Sequence, residues 1–310
     1  HRKRTFLRLN HEESCFCPGG SSDKADAWLH AGGKKRADSE TTDMEGYRMD
    51  IRFTDQVVLI TGGSAGIGLA SAELFGSLGA KVAICGTNPA KLEAAAESLR
   101  QKGIVVFSEP CDVSDGASLE SFAAHTEEAL GPIDIWISNA GIYPQYSIID
   151  TEETLWDQTM DTNVKSVYMG ARIAFRSMKN RGGVILIASS FAAVFPSVGS
   201  GAYAAAKSAV TSMIKTLAGE LAPYGIRVNG YIPGVIDTDL TRPVISVNGE
   251  AMKQAIALQT FGQPEDVAWA LAFLASRYAR YVTGTTLEIS GGKMCVQNPA
   301  KAWKDKEVRD

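Results

Sequence analysis

The sequence predicts an α/β protein built on a single doubly wound sheet of seven parallel strands flanked by helices. From Asp55 onward, short runs rich in valine and isoleucine alternate with longer alanine-rich amphipathic stretches, as in strands joined by crossover helices. Most of the short runs are apolar at successive positions, which is typical of strands covered on both faces. The predicted strands are 57–60, 82–85, 105–107, 133–138, 184–188, 227–232 and 286–289.

The predicted domain spans residues 51–292, and segments of different composition flank it. Residues 1–50 are dominated by glycine, serine and charged residues without a helical or strand period, so we expect disorder there. The chain does not begin with methionine, and Met44 and Met49 directly precede the regular pattern as candidate native starts. We expect the charged residues 293–310 to form a surface tail whose Trp303 can pack on the body or on a neighbouring subunit.

Composition and charge favour a soluble, cytoplasmic enzyme with a small-molecule substrate. The 310 residues are 45% hydrophobic, and a net charge of -4 gives no electrostatic reason to expect nucleic acid or an anionic membrane as partner. No apolar run approaches the roughly 20 residues that span a bilayer. Among the five cysteines, Cys15 and Cys17 are close in sequence, but no second Cys or His pair at ligand spacing accompanies them, and we predict no metal site.

A glycine-rich turn, TGGSAGIG at residues 61–68, follows the first predicted strand and precedes a helical stretch at 69–78. At these positions Gly62 permits a tight turn, Gly66 lets the backbone approach a pyrophosphate, and Gly68 lets the helix pack on the strand. The amides and dipole of the helix N-terminus favour the anion. A glycine-rich turn alone is often only a turn, but its place between strand and helix predicts dinucleotide binding.

The spacing Gly-x-x-x-Gly-x-Gly resembles that of the short-chain dehydrogenase/reductase family, and further motifs follow in the family's order. They are Asn139-Ala140-Gly141 after the fourth strand, Asn163 on the next helix, Ser190 after the fifth strand, the Tyr-x-x-x-Lys pair Tyr203 and Lys207, and Pro233-Gly234 after the sixth strand. The resemblance runs from about Phe53 to Gly292. It implies a Rossmann domain, commonly in a homotetramer, and an NAD(P)-dependent oxidoreductase that interconverts a ketone and a secondary alcohol.

The resemblance also implies the residues that contact the cofactor. Asp112 and Val113 match the adenine contacts, although Asp112 also suits the N-terminal cap of a helix beginning near Ser114. Thr238 and the backbone of Ile236 match contacts to the nicotinamide carboxamide. The full implied set is Gly62, Ser64, Gly66, Ile67, Gly68, Thr87, Asn88, Asp112, Val113, Asn139, Gly141, Tyr203, Lys207, Pro233, Gly234, Ile236 and Thr238.

The end of the second strand favours NADP(H), with NAD(H) as the open alternative. Gly86 stands where relatives that prefer NAD usually carry an Asp, which would repel a 2'-phosphate. The Arg that often follows in relatives that use NADP is replaced by Thr87, and Ala65 in the glycine turn supplies no positive charge. Thr87 and Asn88 can donate hydrogen bonds to a phosphate, but they are equally typical of a turn.

Tyr203 and Lys207 are four residues apart on a helical stretch and therefore share one face. A nearby ammonium favours the phenolate, so we expect Lys207 to lower the pKa of Tyr203. By resemblance, Tyr203 is the acid/base group, Ser190 orients the substrate oxygen, Lys207 also binds the nicotinamide ribose, and Asn163 holds a water that connects Lys207 to solvent. Ser189 is the alternative to Ser190, but its offset of one residue points it to the opposite face of a strand.

The four histidines argue against histidine-based catalysis. His1, His11 and His30 lie in the segment expected to be disordered, and His125 lies on a helix distant from the motifs. Hydrolysis or hydride transfer that depends on histidine therefore lacks its catalytic group.

The sequence indicates the substrate less clearly than it indicates the cofactor. Residues 203–210 and 226–242 are similar to those of 3-oxoacyl-carrier-protein reductases, and residues 239–260 should cover the substrate. A carrier protein needs a basic patch, which the helix before the fifth strand could supply, although Tyr224 stands where these reductases often have a second basic residue. The basic candidates are Arg172, Arg176, Lys179 and Arg181, and the candidates for an apolar pocket or the core are Tyr143, Tyr146, Phe191, Phe195 and Tyr231.

Sugars, steroids, quinones and small ketones therefore stay open as substrates. A non-catalytic dinucleotide-binding redox sensor is the alternative function, but such proteins usually lose Tyr203 or Lys207, and both are present. Sugar-nucleotide epimerases share the glycine turn and the Tyr-x-x-x-Lys pair, but they normally need a longer C-terminal substrate region.

Overall fold

Seven parallel strands form the centre of the computed structural model, which describes residues 50–309. Their order across the sheet is β3-β2-β1-β4-β5-β6-β7, which confirms the predicted fold class. The strands are β1 (Val57–Thr61), β2 (Lys81–Gly86), β3 (Val106–Pro110), β4 (Ile133–Ser138), β5 (Gly183–Ala188), β6 (Ile226–Pro233) and β7 (Thr286–Ile289). The predictions for residues 1–49 lie outside the described residues, namely the disorder, the candidate starts Met44 and Met49, the thiols Cys15 and Cys17 and the histidines His1, His11 and His30.

Each predicted strand overlaps an observed one, and β3 differs most. Apolar patterning ends at Phe107, but parallel pairing with β2 continues to the Gly86 and Pro110 pair. Because β3 is an edge strand, a proline at its end removes no ladder hydrogen bond with a further neighbour.

Helices cover both faces of the sheet. They are α1 (Gly66–Ser77), α2 (Pro89–Gln101), α3 (Gly116–Leu130), α4 (Glu153–Met160), α5 (Ser166–Met178), α6 (Gly201–Leu221), α7 (Arg242–Gln254), α8 (Pro264–Ala275) and α9 (Ala300–Arg309). In β1, Val58 and Ile60 join the core beneath α1 and α8, whereas Val57 and Leu59 join the core beneath α3, α5 and α6. Burial on both sides explains the continuous apolar runs of the sequence.

The order of the sheet places a crevice at the carboxyl ends of β1 and β4. The connection from β1 leads to β2 on one side, whereas β4 pairs with β1 on the other side. Such a switch point is where open α/β sheets bind ligands. The turn after β1 and the segments after β4, β5 and β6 all open onto this edge. Between residues 50 and 309, no helix combines the length and apolarity that crossing a membrane requires.

The segment predicted as a charged surface tail contains helix α9. Lys301 pairs with Asp305 at an i,i+4 spacing that supports a helix, and the other side chains of α9 are mostly exposed. The indole nitrogen of Trp303 donates a hydrogen bond to the carbonyl oxygen of Ala257, at 2.8 Å. The segment therefore contacts the region between α7 and α8.

Candidate active site

The glycine turn after β1 has the close backbone approaches that its sequence predicts. Gly62 and Gly66 have positive φ angles of 67° and 52°. A Cβ on Gly68 would lie 2.2 Å from the carbonyl oxygen of Gly62, so α1 packs on the turn only with glycine there. The N-cap residue of α1 is Ala65, whose methyl group cannot accept a hydrogen bond from the first helical amides. These amides face the crevice as donors for an anion.

Asn139 joins the ends of three strands beside this turn. Its side-chain nitrogen donates to the carbonyl oxygens of Thr61 and Gly62, at 3.1 and 3.2 Å. Its side-chain oxygen accepts a hydrogen bond from the hydroxyl of Tyr231 on β6, at 3.1 Å. The amide group of Asn139 therefore fixes β1, β4 and β6 relative to one another.

Ser190, Tyr203 and Lys207 line one cavity of about 560 Å³. The hydroxyl of Ser190 lies near the phenol of Tyr203 and acts to lower the pKa of that phenol, and its oxygen accepts a hydrogen bond from the amide of Ala192, at 3.1 Å. The ammonium of Lys207 is buried, donates to the carbonyl oxygen of Ala188 at 2.9 Å, and lies 5.7 Å from the ring centre of Tyr203. The spacing on α6 thus brings the two side chains to one face, as the sequence predicts.

The pKa of Tyr203 differs in direction from the sequence expectation. Burial raises the pKa of Tyr203 above its ordinary value, and this effect exceeds the lowering by the nearby hydroxyl of Ser190. Burial also lowers the pKa of Lys207 to about 8. The expected lowering by Lys207 does not prevail, because its ammonium hydrogen-bonds a backbone carbonyl instead of the phenol.

Asn163 lies in a single π-helical turn, Asp161–Lys165, that interrupts the continuous helix of α4 and α5. Its side-chain nitrogen donates to the carbonyl oxygens of Ile142 and Thr159, and its side-chain oxygen accepts from the amide of Ile142. A Cβ on Gly141 would lie 2.6 Å from that oxygen and 3.7 Å from Nζ of Lys207. The amide of Asn163 and the ammonium of Lys207 therefore both lie close to Gly141.

The neighbouring polar candidates have other partners. The hydroxyl of Ser189 lies 2.6 Å from that of Thr211, on α6. Nδ1 of His125 lies 2.7 Å from a carboxylate oxygen of Glu109, on the β3 side of the sheet. Of the two serines, Ser190 is the one that influences the pKa of Tyr203, whereas Ser189 is turned toward α6.

The cavity brings together most of the predicted site residues. Those that line it are Gly62, Gly66, Ile67, Asn139, Gly141, Asn163, Ser190, Tyr203, Lys207, Pro233, Gly234, Ile236 and Thr238. The predicted residues outside its lining are Ser64, Gly68, Thr87, Asn88, Asp112 and Val113. Gly68 packs beneath the turn, and the other five lie toward the ends of β2 and β3.

The residues near β2 and β3 have structural partners. The side chain of Asn88 caps α2 by accepting from the amide of Lys91, at 3.0 Å. Asp112 accepts from the amide and hydroxyl of Ser114, whereas the N-cap of α3 is Asp115. The alternative assignment of Asp112 as the helix cap is therefore wrong, because α3 begins at Gly116, two residues after the predicted start near Ser114.

An ion-pair network that sequence reasoning missed lies beside the glycine turn. Nζ of Lys91 on α2 is 2.5 Å from a carboxylate oxygen of Asp239. Arg242 pairs with both Asp237 and Asp239, at 2.8 and 2.7 Å. The hydrogen bond from Lys91 is the largest cause that lowers the pKa of Asp239. Lys91 and Asp239 are 148 residues apart, and no local pattern in the sequence indicates their contact.

The substrate side of the cavity is apolar. The ring of Tyr143 lies edge-on to that of Tyr203, with centroids 4.7 Å apart. Phe191, together with Val244 and Met252 from α7, completes this wall. Of the other aromatic candidates, Tyr231 is fully buried against Asn139, and Phe195 and Tyr146 are 73% and 55% exposed. The sequence predicted that residues 239–260 cover the substrate, and α7 lies in that range. It did not indicate that Val244 and Met252 are the residues of α7 that line the cavity.

Comparisons with known proteins agree with this geometry. The family model described as enoyl-(acyl carrier protein) reductase matches residues 62–293. The human dehydrogenase/reductase SDR family member 4 is 36% identical over 77% of this chain and 88% of its own length. The 3-oxoacyl-(acyl-carrier-protein) reductase FabG of Rickettsia typhi is 37% identical over 79% of this chain and its whole length.

A comparison with solved structures indicates the same family. The crystal structure of a dehydrogenase/reductase from Sinorhizobium meliloti 1021 superposes with a TM-score of 0.76 at 34% identity, covering 79% of this chain and 97% of its own. The glycine turn, the Ser190, Tyr203 and Lys207 cluster and these likenesses agree. The chain belongs to the short-chain dehydrogenase/reductase family and is an NAD(P)-dependent oxidoreductase that interconverts ketones and secondary alcohols.

Proposed function

We propose that the chain is an NADPH-dependent reductase of apolar ketones, with Tyr203 as its proton donor. The observation that carries this proposal is that Ser190, Tyr203 and Lys207 line the same cavity that the glycine turn borders. Both hydroxyls can reach one substrate oxygen, Ser190 to orient it and Tyr203 to protonate it. A bound nicotinamide would supply the hydride.

The pKa directions favour reduction at neutral pH. A phenol whose pKa burial has raised stays protonated and can donate its proton. Lys207 supports the phenolate left after donation, because its charge lies beside the ring. The approach of both Asn163 and Lys207 to Gly141 supports a water held by Asn163 that connects Lys207 to solvent.

The residues around the crevice fit a dinucleotide. The close approaches at Gly62, Gly66 and Gly68 leave backbone where a side chain would fill the cradle. We assign cofactor contacts to Gly62, Ser64, Gly66, Ile67, Gly68, Thr87, Asn88, Asp112, Val113, Asn139, Gly141, Tyr203, Lys207, Pro233, Gly234, Ile236 and Thr238.

Lys91 supports a preference for NADPH over NADH. Helical side chains lean toward the N-terminus, so Lys91 reaches back from α2 toward the glycine turn. Lys91 pairs with Asp239, the residue after Thr238. A Cβ on Gly66 would lie 3.1 Å from the methyl group of Thr238, so this ion pair is close to the glycine turn. A side chain on Gly86 would begin 2.9 Å from the hydroxyl oxygen of Ser64. In this protein the Ser64 hydroxyl therefore lies where relatives that prefer NAD have an acidic side chain, which would repel a 2'-phosphate. We assign to Lys91 the positive charge that Thr87 and Ala65 lack, with the 2'-phosphate replacing Asp239 as its partner.

The substrate we favour is an apolar ketone without a carrier protein. Tyr143, Phe191, Val244 and Met252 give the cavity an apolar wall. The arginines before β5 that could form a basic patch already have partners within the protein. They are therefore a weak docking surface for an acyl carrier protein. Arg172 hydrogen-bonds the phenol of Tyr168, Arg176 pairs with Glu120, and Arg181 pairs with Asp134.

We also propose a cytoplasmic homotetramer. The free thiols of Cys85, Cys111 and Cys295 suit a reducing compartment. Several large apolar side chains on the surface, among them Ile149 at 88% exposed, suit burial between subunits.

Tyr203→Phe should lower turnover by about two to four orders of magnitude, because the ring keeps its packing but loses the transferable proton. The dissociation constant for NADPH should stay within about twofold of the wild-type value, which fluorescence titration measures. Tyr281→Phe is the matched control, since that hydroxyl is on a fully exposed ring. Near-normal ketone reduction by Tyr203→Phe would remove the acid/base role.

The two reaction directions should depend on pH with opposite signs. Ketone reduction needs protonated Tyr203, whose pKa burial raises, so its rate should hold through neutral pH and fall only as alkaline pH deprotonates the phenol. Alcohol oxidation needs the phenolate and should accelerate as pH rises. Initial rates at saturating cofactor in both directions test this, and parallel profiles would contradict it.

Lys91→Ala should raise the dissociation constant for NADPH about tenfold, because a charge-assisted contact to phosphate is lost. Binding of NADH should change less than about twofold, since NADH has no 2'-phosphate. Lys102→Ala removes a lysine just beyond the far end of α2 that pairs with Glu73, and it should leave both constants unchanged. Equal weakening of both cofactors in Lys91→Ala would refute the proposed selectivity.

A further inference from the structure

The C-terminal segment after residue 293 lies beyond the match to the family model. It nevertheless has a defined attachment to the body of the protein. Pro299 is buried at the start of α9, and the indole nitrogen of Trp303 donates to the carbonyl oxygen of Ala257, at 2.8 Å. This attachment lies next to the wall of the substrate cavity.

Ala257 follows closely after the end of α7, in a short segment that is held on several sides. The side chain of Ile256 is 1% exposed, and the amide of Leu258 donates to the carbonyl oxygen of Gly291, at 3.0 Å. A Cβ on Gly292 would lie 2.8 Å from the Cβ of Ala257. The turn after β7 and the indole of Trp303 together fix the point at which α7 ends.

Helix α7 depends on the attachments at its ends for its position. Every residue of α7 is partly or fully exposed, and Asn248 interrupts the helical backbone with a φ of -125°. A helix with so little burial has little packing energy to hold it in one place. Arg242 fixes its N-terminal end through Asp237 and Asp239, so Trp303 acts at the opposite end.

The wall residues of α7 connect this attachment to the substrate. Val244 and Met252 line the cavity, and Met252 lies in the last turn of α7, close in sequence to Ala257. A shift of the end of α7 would move Met252 away from the cavity and enlarge it. The hydrogen bond from Trp303 opposes that shift.

We propose that Trp303 is a positioning residue for substrate selectivity. By holding Ala257, it keeps Met252 in the cavity wall, and the cavity then favours short apolar ketones over bulky ones. The inference rests on the proposed ketone reductase function for its catalytic readout, and on the position of α7 alone for its structural readout. The C-terminal segment is thereby a specificity element of the same site.

The test compares Trp303→Ala with Trp303→Phe, which keeps an aromatic ring but removes the donor, and with Val308→Ala. Val308 lies on the same helix, is 87% exposed, and serves as the matched control. The substrates are ethyl acetoacetate as the short ketone and ethyl benzoylacetate as the bulky one, with NADPH. Hydrogen exchange of the amides of residues 242–258 is measured in parallel.

Trp303→Ala should raise KM for ethyl acetoacetate about five- to tenfold, as expected for one lost hydrogen bond and looser packing. KM for ethyl benzoylacetate and both kcat values should stay within about twofold, and the dissociation constant for NADPH should not change. Amides of residues 242–258 should exchange faster. Trp303→Phe should give an intermediate effect, and Val308→Ala should match the wild-type protein.

Unchanged KM ratios and unchanged exchange in Trp303→Ala would overturn the inference. An equal loss for both ketones together with weaker NADPH binding would also overturn it, because that pattern indicates general destabilisation. If the wild-type protein reduces neither ketone, the proposed substrate class fails, whereas exchange in residues 242–258 still decides whether Trp303 holds α7.

Discussion

The hydrogen bonds of Asn139 are the constraint on which the site depends. Parallel strands end at the same edge of the sheet, but their ends must also be held at fixed distances if residues from different strands are to act together. Asn139 meets this need by bonding the backbone of Thr61 and Gly62 and the hydroxyl of Tyr231. The glycine turn after β1 and the Pro233-Gly234 turn after β6 therefore face each other across a fixed crevice.

Burial is the second physical theme, since it acts on both Tyr203 and Lys207. It raises the pKa of Tyr203 and lowers the pKa of Lys207 to about 8, so it disfavours the charged form of each. The nearby hydroxyl of Ser190 partly offsets the effect on Tyr203, and the ammonium of Lys207 donates a hydrogen bond to the carbonyl oxygen of Ala188. The result is a phenol that holds its proton at neutral pH, which suits a donor to a ketone oxygen.

Much of the fold and of the cluster of Ser190, Tyr203 and Lys207 could be predicted from local patterns. Apolar runs identify strands buried on both faces, and a spacing of four residues places Tyr203 and Lys207 on one helical face. Contacts between distant segments leave no such pattern. The pair of Lys91 and Asp239 and the bond from Trp303 to Ala257 depend on tertiary placement, as does the direction of the pKa shift of Tyr203.

The most direct test of the account follows the hydride itself. The wild-type protein is incubated with NADPH deuterated at the transferable position of C4 and with ethyl acetoacetate, and mass spectrometry locates deuterium in the alcohol product. The account predicts deuterium on the carbinol carbon, with oxidation of NADPH in equal amount. Binding of NADPH without any ketone-dependent oxidation or deuterium transfer would contradict it.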